Sequence, residues 1–326
     1  MSIPDARLML AYEAAAAYYT DGRTQAEIAH RLGVSRPTVS RLLEEARTAG
    51  LVTITVHPPS AVHLAELGAA LAQSLGLRSV RIAPGAHDGS LGRSLVRPTS
   101  EALKDLGLNP GDVLVVASGR TVYELSLEDL PSMPGVVMVP GVGGQADPEP
   151  WFQTNEIVRT MAQKTDGRPT FLFAEAMPSP AVFEALRADP GYQRTEQLWD
   201  RASAALLGIG APPRTRSSIT SGIPVEDSSL RTAAGDICLH FFDHDGASLG
   251  FPGSEHMVRI PLQSLLAIPQ RVAVAAGAHK TPSIIAAARL GCLHHLVTDE
   301  PTAHALATAL GIAEPGAARA QPRLGA

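Results

Sequence analysis

From Val80 onward, short apolar runs alternate with helix-patterned stretches, and this alternation admits few architectures. Val80–Ala83, Val113–Ala117, Val136–Val139, Thr170–Ala174, Ala204–Ile209, Ile237–Phe242 and Val272–Ala276 read as strands. Leu91–Leu106, Asn155–Lys164, Ala181–Ala188 and Thr281–Leu290 read as helices between them. The order predicts an α/β domain with a mainly parallel sheet. Ligand loops in such sheets lie where strands end, and many of the 29 Gly and 26 Pro fall there.

The first 50 residues have a different texture. They are helical in pattern and nearly free of Pro and Gly. Leu51–Val56 then alternates like a strand or wing, and His57-Pro58-Pro59-Ser60 breaks the pattern, because proline lacks a backbone donor and fixes φ. The chain therefore divides into residues 1–56, a linker at 57–60, a large domain at 61–314, and an Ala/Pro/Gly/Arg-rich tail at 315–326 expected to be disordered. A helix is expected from about Ala61 to Leu75.

Composition narrows the class. A length of 326 residues suits about two domains. A net charge of −5 excludes a binder working by bulk positive charge, so nucleic-acid contact must come from a local surface. Two cysteines, Cys238 and Cys292, are too few for a disulfide framework and fit a reducing cytoplasm. No apolar stretch approaches the roughly 20 residues of a membrane helix. The Ala14–Ala17 run is too short and wrongly flanked for a targeting segment.

Within residues 1–56, local signals agree with one another. Thr24-Gln25-Ala26-Glu27 has the form of a capping box. Ile28, Ala29 and Leu32 line one helical face, Gly33 permits a left-handed turn, and Val34 supplies the small apolar plug of a helix-turn-helix. Ser35 caps the next helix and Pro37 sits in its first turn. Val39, Leu42, Leu43 and Ala46 form a buried stripe, which leaves Arg36, Thr38, Ser40 and Arg41 on or near the other face. This is the layout of a recognition helix in the major groove. The candidate DNA contacts are Thr24, Gln25, Ser35, Arg36, Pro37, Thr38, Ser40 and Arg41. Against DNA binding stands the charge of residues 1–60, where six Arg are matched by six acidic residues. Agreement of turn, caps, stripe and polar face decides for it.

These residues, with Ala46-Arg47 and Gly50-Leu51-Val52, closely resemble the SorC-type, DeoR-like sugar-responsive transcriptional regulators of bacteria. The likeness continues in order through Ser118-Gly119-Arg120-Thr121, Gly141-Val142-Gly143-Gly144, Gly208-Ile209-Gly210, Gly235-Asp236-Ile237, Phe242-Asp243 with Gly246, Ala275-Ala276-Gly277 with Lys280, and Val297-Thr298-Asp299-Glu300 with Ala303. Ala117 and Ser118 stand where the family often has Gly and Trp, and Ala278 where it often has Gly. The resemblance implies a winged helix-turn-helix joined to a Rossmann-like α/β effector domain, similar in fold to ribose-5-phosphate isomerase and glucosamine-6-phosphate deaminase. It also implies a sugar or sugar-phosphate effector, operator double-stranded DNA of palindromic form, and self-association as a dimer or tetramer, with no membrane partner.

Candidate effector contacts follow. Ser118, Gly119, Arg120 and Thr121 end an expected buried strand and open a helix, an arrangement that presents amide groups and charge to an anion. Gly143, Gly144 and Gln145 form a second loop, where Gln145 can bond a hydroxyl. Asn155 is either a helix cap or a ligand contact. Asp236 either holds sugar hydroxyls or forms a turn before Ile237–Phe242. Lys280 pairs with a phosphate or a sugar oxygen, or lies solvated at the surface. Trp151 and Phe152 are a pocket wall or an interface, and sequence does not decide.

No cofactor, metal site or catalytic set is expected. His240, His244, His256, Asp243 and Asp245 match no zinc spacing, and Asp243-His244-Asp245-Gly246 reads better as a hairpin turn. Cys238, Cys292, His294 and His295 read as structural. The competing enzyme reading is a phosphosugar isomerase or deaminase with an appended DNA-binding domain. It needs a general base, for which Asp236 and Glu300 are nominal candidates. A third reading is a scaffold that binds no ligand.

Overall fold

The computed structural model describes residues 3–52, 60–85, 90–216, 219–220 and 222–312. The chain divides into two compact units, Met1–Pro58 and Pro59–Ala326.

The first unit holds three helices, α1 (Ile3–Ala15), α2 (Gln25–Leu32) and α3 (Arg36–Thr48), with a π-helical turn at Ala16–Thr20 after α1. Small residues on α1 and the turn, Ala11, Ala14, Ala15 and Ala17, let it approach Ile28 of α2 and Val39, Leu42 and Leu43 of α3 in one core. Val34 packs against that core from the turn. The Thr24 hydroxyl accepts from Glu27 N–H at 3.3 Å, and the Glu27 carboxylate accepts from Thr24 N–H at 2.8 Å, closing the capping box. That bond holds the Glu27 carboxyl below the usual carboxylate range. Gly33 ends α2 at φ 64°, and the Ser35 hydroxyl accepts from Thr38 N–H to start α3. The strand expected at Leu51–Val56 and the linker at 57–60 lie mostly outside the described residues; Leu51 and Val52 are not in a strand.

The second unit runs α4 (Ser60–Leu75), β1 (Ser79–Ala83), α5 (Leu91–Asp105), β2 (Val113–Val116), α6 (Arg120–Ser126), β3 (Val137–Pro140), α7 (Thr154–Thr165), β4 (Arg168–Pro169), α8 (Pro180–Ala188), α9 (Pro190–Asp200) and β5 (Ala204–Gly208). It continues with β6 (Ala233–Ile237), β7 (His240–Asp243), β8 (Ser248–Leu249), α10 (Leu262–Ala267), β9 (Gln270–Val274), α11 (Thr281–Leu290), β10 (His295–Asp299) and α12 (Glu300–Leu310). Residues 313–326, which include the tail, lie outside the described residues.

Seven strands form one sheet in the order β1-β10-β9-β5-β2-β3-β4, every neighbouring pair parallel. Strand alternation splits the apolar residues between its two faces. Val113, Val115, Ala205, Leu207 and Ala273 belong to one core cluster, and Leu114, Val116, Ala204, Leu206 and Val272 to the other. Helices cover both faces, so the strands carry apolar residues at consecutive positions. From β2 the chain winds outward through β3 and β4, then returns to place β5 on the other side of β2. Such a reversal opens a crevice at the carboxyl ends of the strands.

Two strand expectations are corrected. Ile237–Phe242 is not one strand of the main sheet. It is interrupted by a tight turn at Cys238-Leu239, with φ 48° and 62°, and β6, β7 and β8 form a separate antiparallel sheet. The turn lacks the Asn-Gly or Asp-Gly signal that marks such hairpins, so the apolar run hid it. Thr170–Ala174 is not a strand: the pairing with β3 ends in β4 at Pro169, and Ala174 lies in a bend. The Asp243–Gly246 turn does join two antiparallel strands, with Asp243 N–H bonded to Ala247 O at 3.0 Å.

Candidate functional site

In the first unit, the exposed side of α3 carries Arg36, Pro37, Ser40 and Arg41, while Thr38 is half-buried. Thr24, Gln25 and Arg36 line one cleft together with Tyr18, Gly22, Arg23 and Ala26. Tyr18 and Arg23 were not anticipated: the π-helical turn that brings Tyr18 there has no sequence signature. The hydroxyls of Thr24 and Ser35 are engaged as helix caps.

In the second unit, a cavity of about 330 Å³ opens at the carboxyl ends of β2, β5 and β9. Ser118, Gly119, Arg120 and Thr121 reach it from the β2–α6 connection, and Gly210 and Arg216 from the segment after β5. Asp236 and Leu239 reach it from the β6–β7 hairpin, and His279 and Lys280 from the turn before α11. Gln145 lines it as well, its Nε2 donating to the Ser118 hydroxyl at 3.4 Å.

Trp151 and Phe152 also line the cavity. The Arg120 guanidinium lies 4.6 Å from the Trp151 ring centroid, a cation–π contact. Gly119 N–H donates to Trp151 O at 2.9 Å, so this amide is already used. Trp151 is presented by a short 3-10 turn, Pro150–Phe152.

Asp236, for which the sequence left a sugar contact or a turn open, lies in β6 and lines the cavity. One of its oxygens accepts from the Arg216 guanidinium and the other from Leu239 N–H at 3.0 Å. The second bond pins the strained hairpin turn. Arg216 also donates from Nε to Ala211 O at 2.6 Å. Behind the turn, the Arg259 guanidinium donates to Leu239 O, and burial pulls its pKa down to about 10. Arg216 was missed because it follows Pro212-Pro213 in a loop whose return to the cavity depends on long-range packing.

Lys280 is half-buried in the wall, and among the described residues its amine has no hydrogen-bond partner. Burial pulls its pKa down to about 8, with Arg216 and Arg120 adding repulsion and Asp236 and Asp299 opposing it. The cavity lining therefore holds Arg120, Arg216, Lys280 and His279 against one carboxylate, Asp236.

Three expected contacts are not brought to the cavity. Gly143 N–H donates to Val258 O at 2.9 Å, and Gly144 exchanges bonds with Ala174 O at 2.8 Å and Ala176 N–H at 2.7 Å. A Cβ on Gly143 would meet Ala174 O and Ala176 N at 2.8 Å, so this glycine serves close backbone packing. Asn155 spends its amide on the Leu172 backbone, donating at 3.1 Å and accepting at 2.9 Å. Elsewhere, His240 Nε2 lies 2.8 Å from Ile260 O, and burial pushes this imidazole down to about 4. Among the described residues, no group of three or more His, Cys, Asp or Glu is placed to hold a metal, and no helix is long and apolar enough to cross a membrane.

An α/β unit with a ligand-sized cavity, preceded by a helix-turn-helix unit, defines a class of two-part binding proteins. Comparison with known proteins narrows it. The family model described as "Putative sugar-binding domain" matches residues 60–308, and the MarR family model matches residues 14–61. The sorbitol operon regulator of Klebsiella pneumoniae is 29% identical over 301 residues, covering 89% of this chain and 94% of that protein. The deoxyribonucleoside regulator of Bacillus subtilis is 28% identical over 309 residues, covering 91% and 96%. The crystal structure of the full-length Klebsiella pneumoniae regulator SorC superposes with a TM-score of 0.68 at 28% identity, covering 92% of this chain and 98% of that one. The chain belongs to the SorC-type family of sugar-binding transcriptional regulators.

Proposed function

We propose that the chain is a DNA-binding transcriptional regulator whose operator affinity or assembly state is set by a phosphorylated sugar held in the second unit. The observation that carries the anionic character of the effector is the lining of the cavity. Four basic side chains face one carboxylate, and that carboxylate already has both oxygens bonded. A neutral sugar gives such a lining nothing to neutralise; a phosphate takes charge-assisted bonds from Lys280, Arg216 or Arg120. Trp151 and Gln145 suit the sugar itself, one by its apolar face and one by its amide.

Operator recognition falls to Gln25, Arg36, Pro37, Thr38, Ser40 and Arg41, with Thr24 and Ser35 shaping the two helix starts. A pair of such units reads a palindromic site with half-sites about 34–36 Å apart or a multiple of that. This assigns the protein to the cytoplasm, where the operator lies.

The enzyme alternative finds less support. Asp236 is tied to Arg216 and Leu239, and Glu300 accepts from Gly85 N–H at 2.6 Å and does not line the cavity. Neither is placed as a free base beside a bound sugar.

The test is thermal unfolding against sugars, polyols and their phosphates, followed by operator gel shift with any hit. A ligand at 100 times its Kd stabilises the native state by about 2.7 kcal/mol. Hits confined to phosphorylated compounds, with altered operator retention, are expected. Hits confined to neutral sugars would overturn the anionic reading.

A further inference from the structure

The tip of the β6–β7 hairpin carries backbone strain that its bonds do not require. Ile237 pairs with His240, so Cys238 and Leu239 alone make the turn, at φ 48° and 62°. Two-residue turns with positive φ at both positions are the ones that Asn-Gly fills, because a Cβ there comes too close to the following carbonyl oxygen. A leucine in this region is an outlier. Both bonds of Leu239 come from its backbone. Its N–H donates to an Asp236 carboxylate oxygen at 3.0 Å, and its carbonyl accepts from the Arg259 guanidinium. Glycine would make the same two bonds without the strain. The side chain is all that leucine adds there, and strain of this kind gathers at ligand sites.

That side chain is buried, and Leu239 lines the effector cavity beside Cys238, Ile209 and Ile219. The tip is held by packing as well as by bonds: a Cβ built on Gly141 would lie 3.2 Å from the Cys238 Sγ. At about 330 Å³ the cavity is at the small end of ligand sites, where one fixed side chain in the wall decides what enters. We propose that Leu239 is a specificity-determining residue, its side chain setting the largest phosphorylated sugar that the cavity admits. This rests on the reading that the cavity holds such a sugar. Leu239 also belongs to the apolar core around the hairpin, and packing there is the competing reason for its side chain.

Thermal unfolding and calorimetric titration of the full chain with triose, pentose, hexose and heptose monophosphates separate the two, wild type against Leu239→Ala and Leu239→Gly. The alanine keeps the strain and removes the bulk; the glycine removes both. Leu239→Gly is therefore expected to melt above Leu239→Ala, and it serves as the folded variant should the alanine fail to fold. The wild type is expected to bind up to one chain length and not beyond. In both variants the dissociation constant for the next longer compound, relative to the shorter one, is expected to fall by about tenfold or more. A size preference unchanged in the variants would overturn the assignment and leave Leu239 a core residue. A wild type that binds every length alike would overturn it too, and alanine melting at or above glycine would overturn the strain argument. A wild type that binds none of the phosphates would overturn the phosphorylated-sugar reading itself.

Discussion

Arg216 and Asp236, twenty residues apart, form a hydrogen-bonded ion pair in the cavity wall, with side chains 15% and 8% exposed. The second oxygen of Asp236 holds the Leu239 amide at 3.0 Å. One carboxylate thus joins the segment after β5 to the strained turn between β6 and β7. Replacing Asp236 with Ala leaves a largely buried guanidinium without its partner, an expected loss of about 2–3 kcal/mol in chemical denaturation. Removing Arg216 as well is expected to recover part of it, as a double-mutant cycle would read. Gly210→Ala places a Cβ 2.0 Å from Asp236 Oδ1 and 2.7 Å from the Arg216 guanidinium. It is expected to part the pair and lower effector affinity.

Lys280 is expected to make effector binding pH-dependent. Burial holds its pKa at about 8 in the folded chain against an ordinary value of 10.5. Between those values the unfolded chain binds more protons, so stability rises with pH there; below about 8 the cost of the buried charge is constant. An anionic effector needs the charged amine, so its affinity should fall as pH rises through about 8. Lys280→Met is expected to remove both dependences and to weaken phosphate binding by about 1.5–3 kcal/mol. Calorimetric titration at pH 7 and pH 9.5 checks the sign, and a variant that binds phosphate as well as wild type would refute the pairing.

The two tryptophans occupy different surroundings. Trp199 is 1% exposed, with its indole N–H bonded to Pro140 O at 2.8 Å, whereas Trp151 lines the cavity. Effector binding should change the emission of Trp151 alone. The response is expected to persist in Trp199→Phe and to vanish in Trp151→Phe. A signal carried by Trp199 would point to rearrangement of the core.

On α3, Arg36 is exposed, and Arg36→Ala should weaken operator binding by about 1–3 kcal/mol with no change in Tm. Thr24→Ala loses a helix cap and should cost about 1 kcal/mol of stability. Gel shift beside thermal unfolding separates the two effects.

Much of this was legible in sequence because it is local. The capping box at Thr24, the glycine turn at Gly33 and the Ser35 start of α3 depend on residues within a few positions of one another. The spans of α5, α7 and α11 followed from periodicity. So did the buried strands β2 and β5, which helices cover on both faces. The β6–β7 hairpin was not legible, because Cys238-Leu239 adopts left-handed backbone that only the surrounding bonds of Asp236 and Arg259 explain. Of β10 only the strand-like pair Leu296-Val297 was legible, and the helices α9, α10 and α12 were not anticipated.

The site divides the same way. Sequence alone determined that a helix-turn-helix precedes an α/β domain, and that Ser118–Thr121, Gln145, Asp236 and Lys280 are polar groups near strand ends. Only the tertiary structure decided which of them converge. It set Gly143, Gly144 and Asn155 to holding backbone, and brought Arg216 and Trp151 into the cavity wall. Local motifs are written by neighbouring residues, but a cavity is assembled where the winding of the sheet reverses, from segments that share no spacing in the chain.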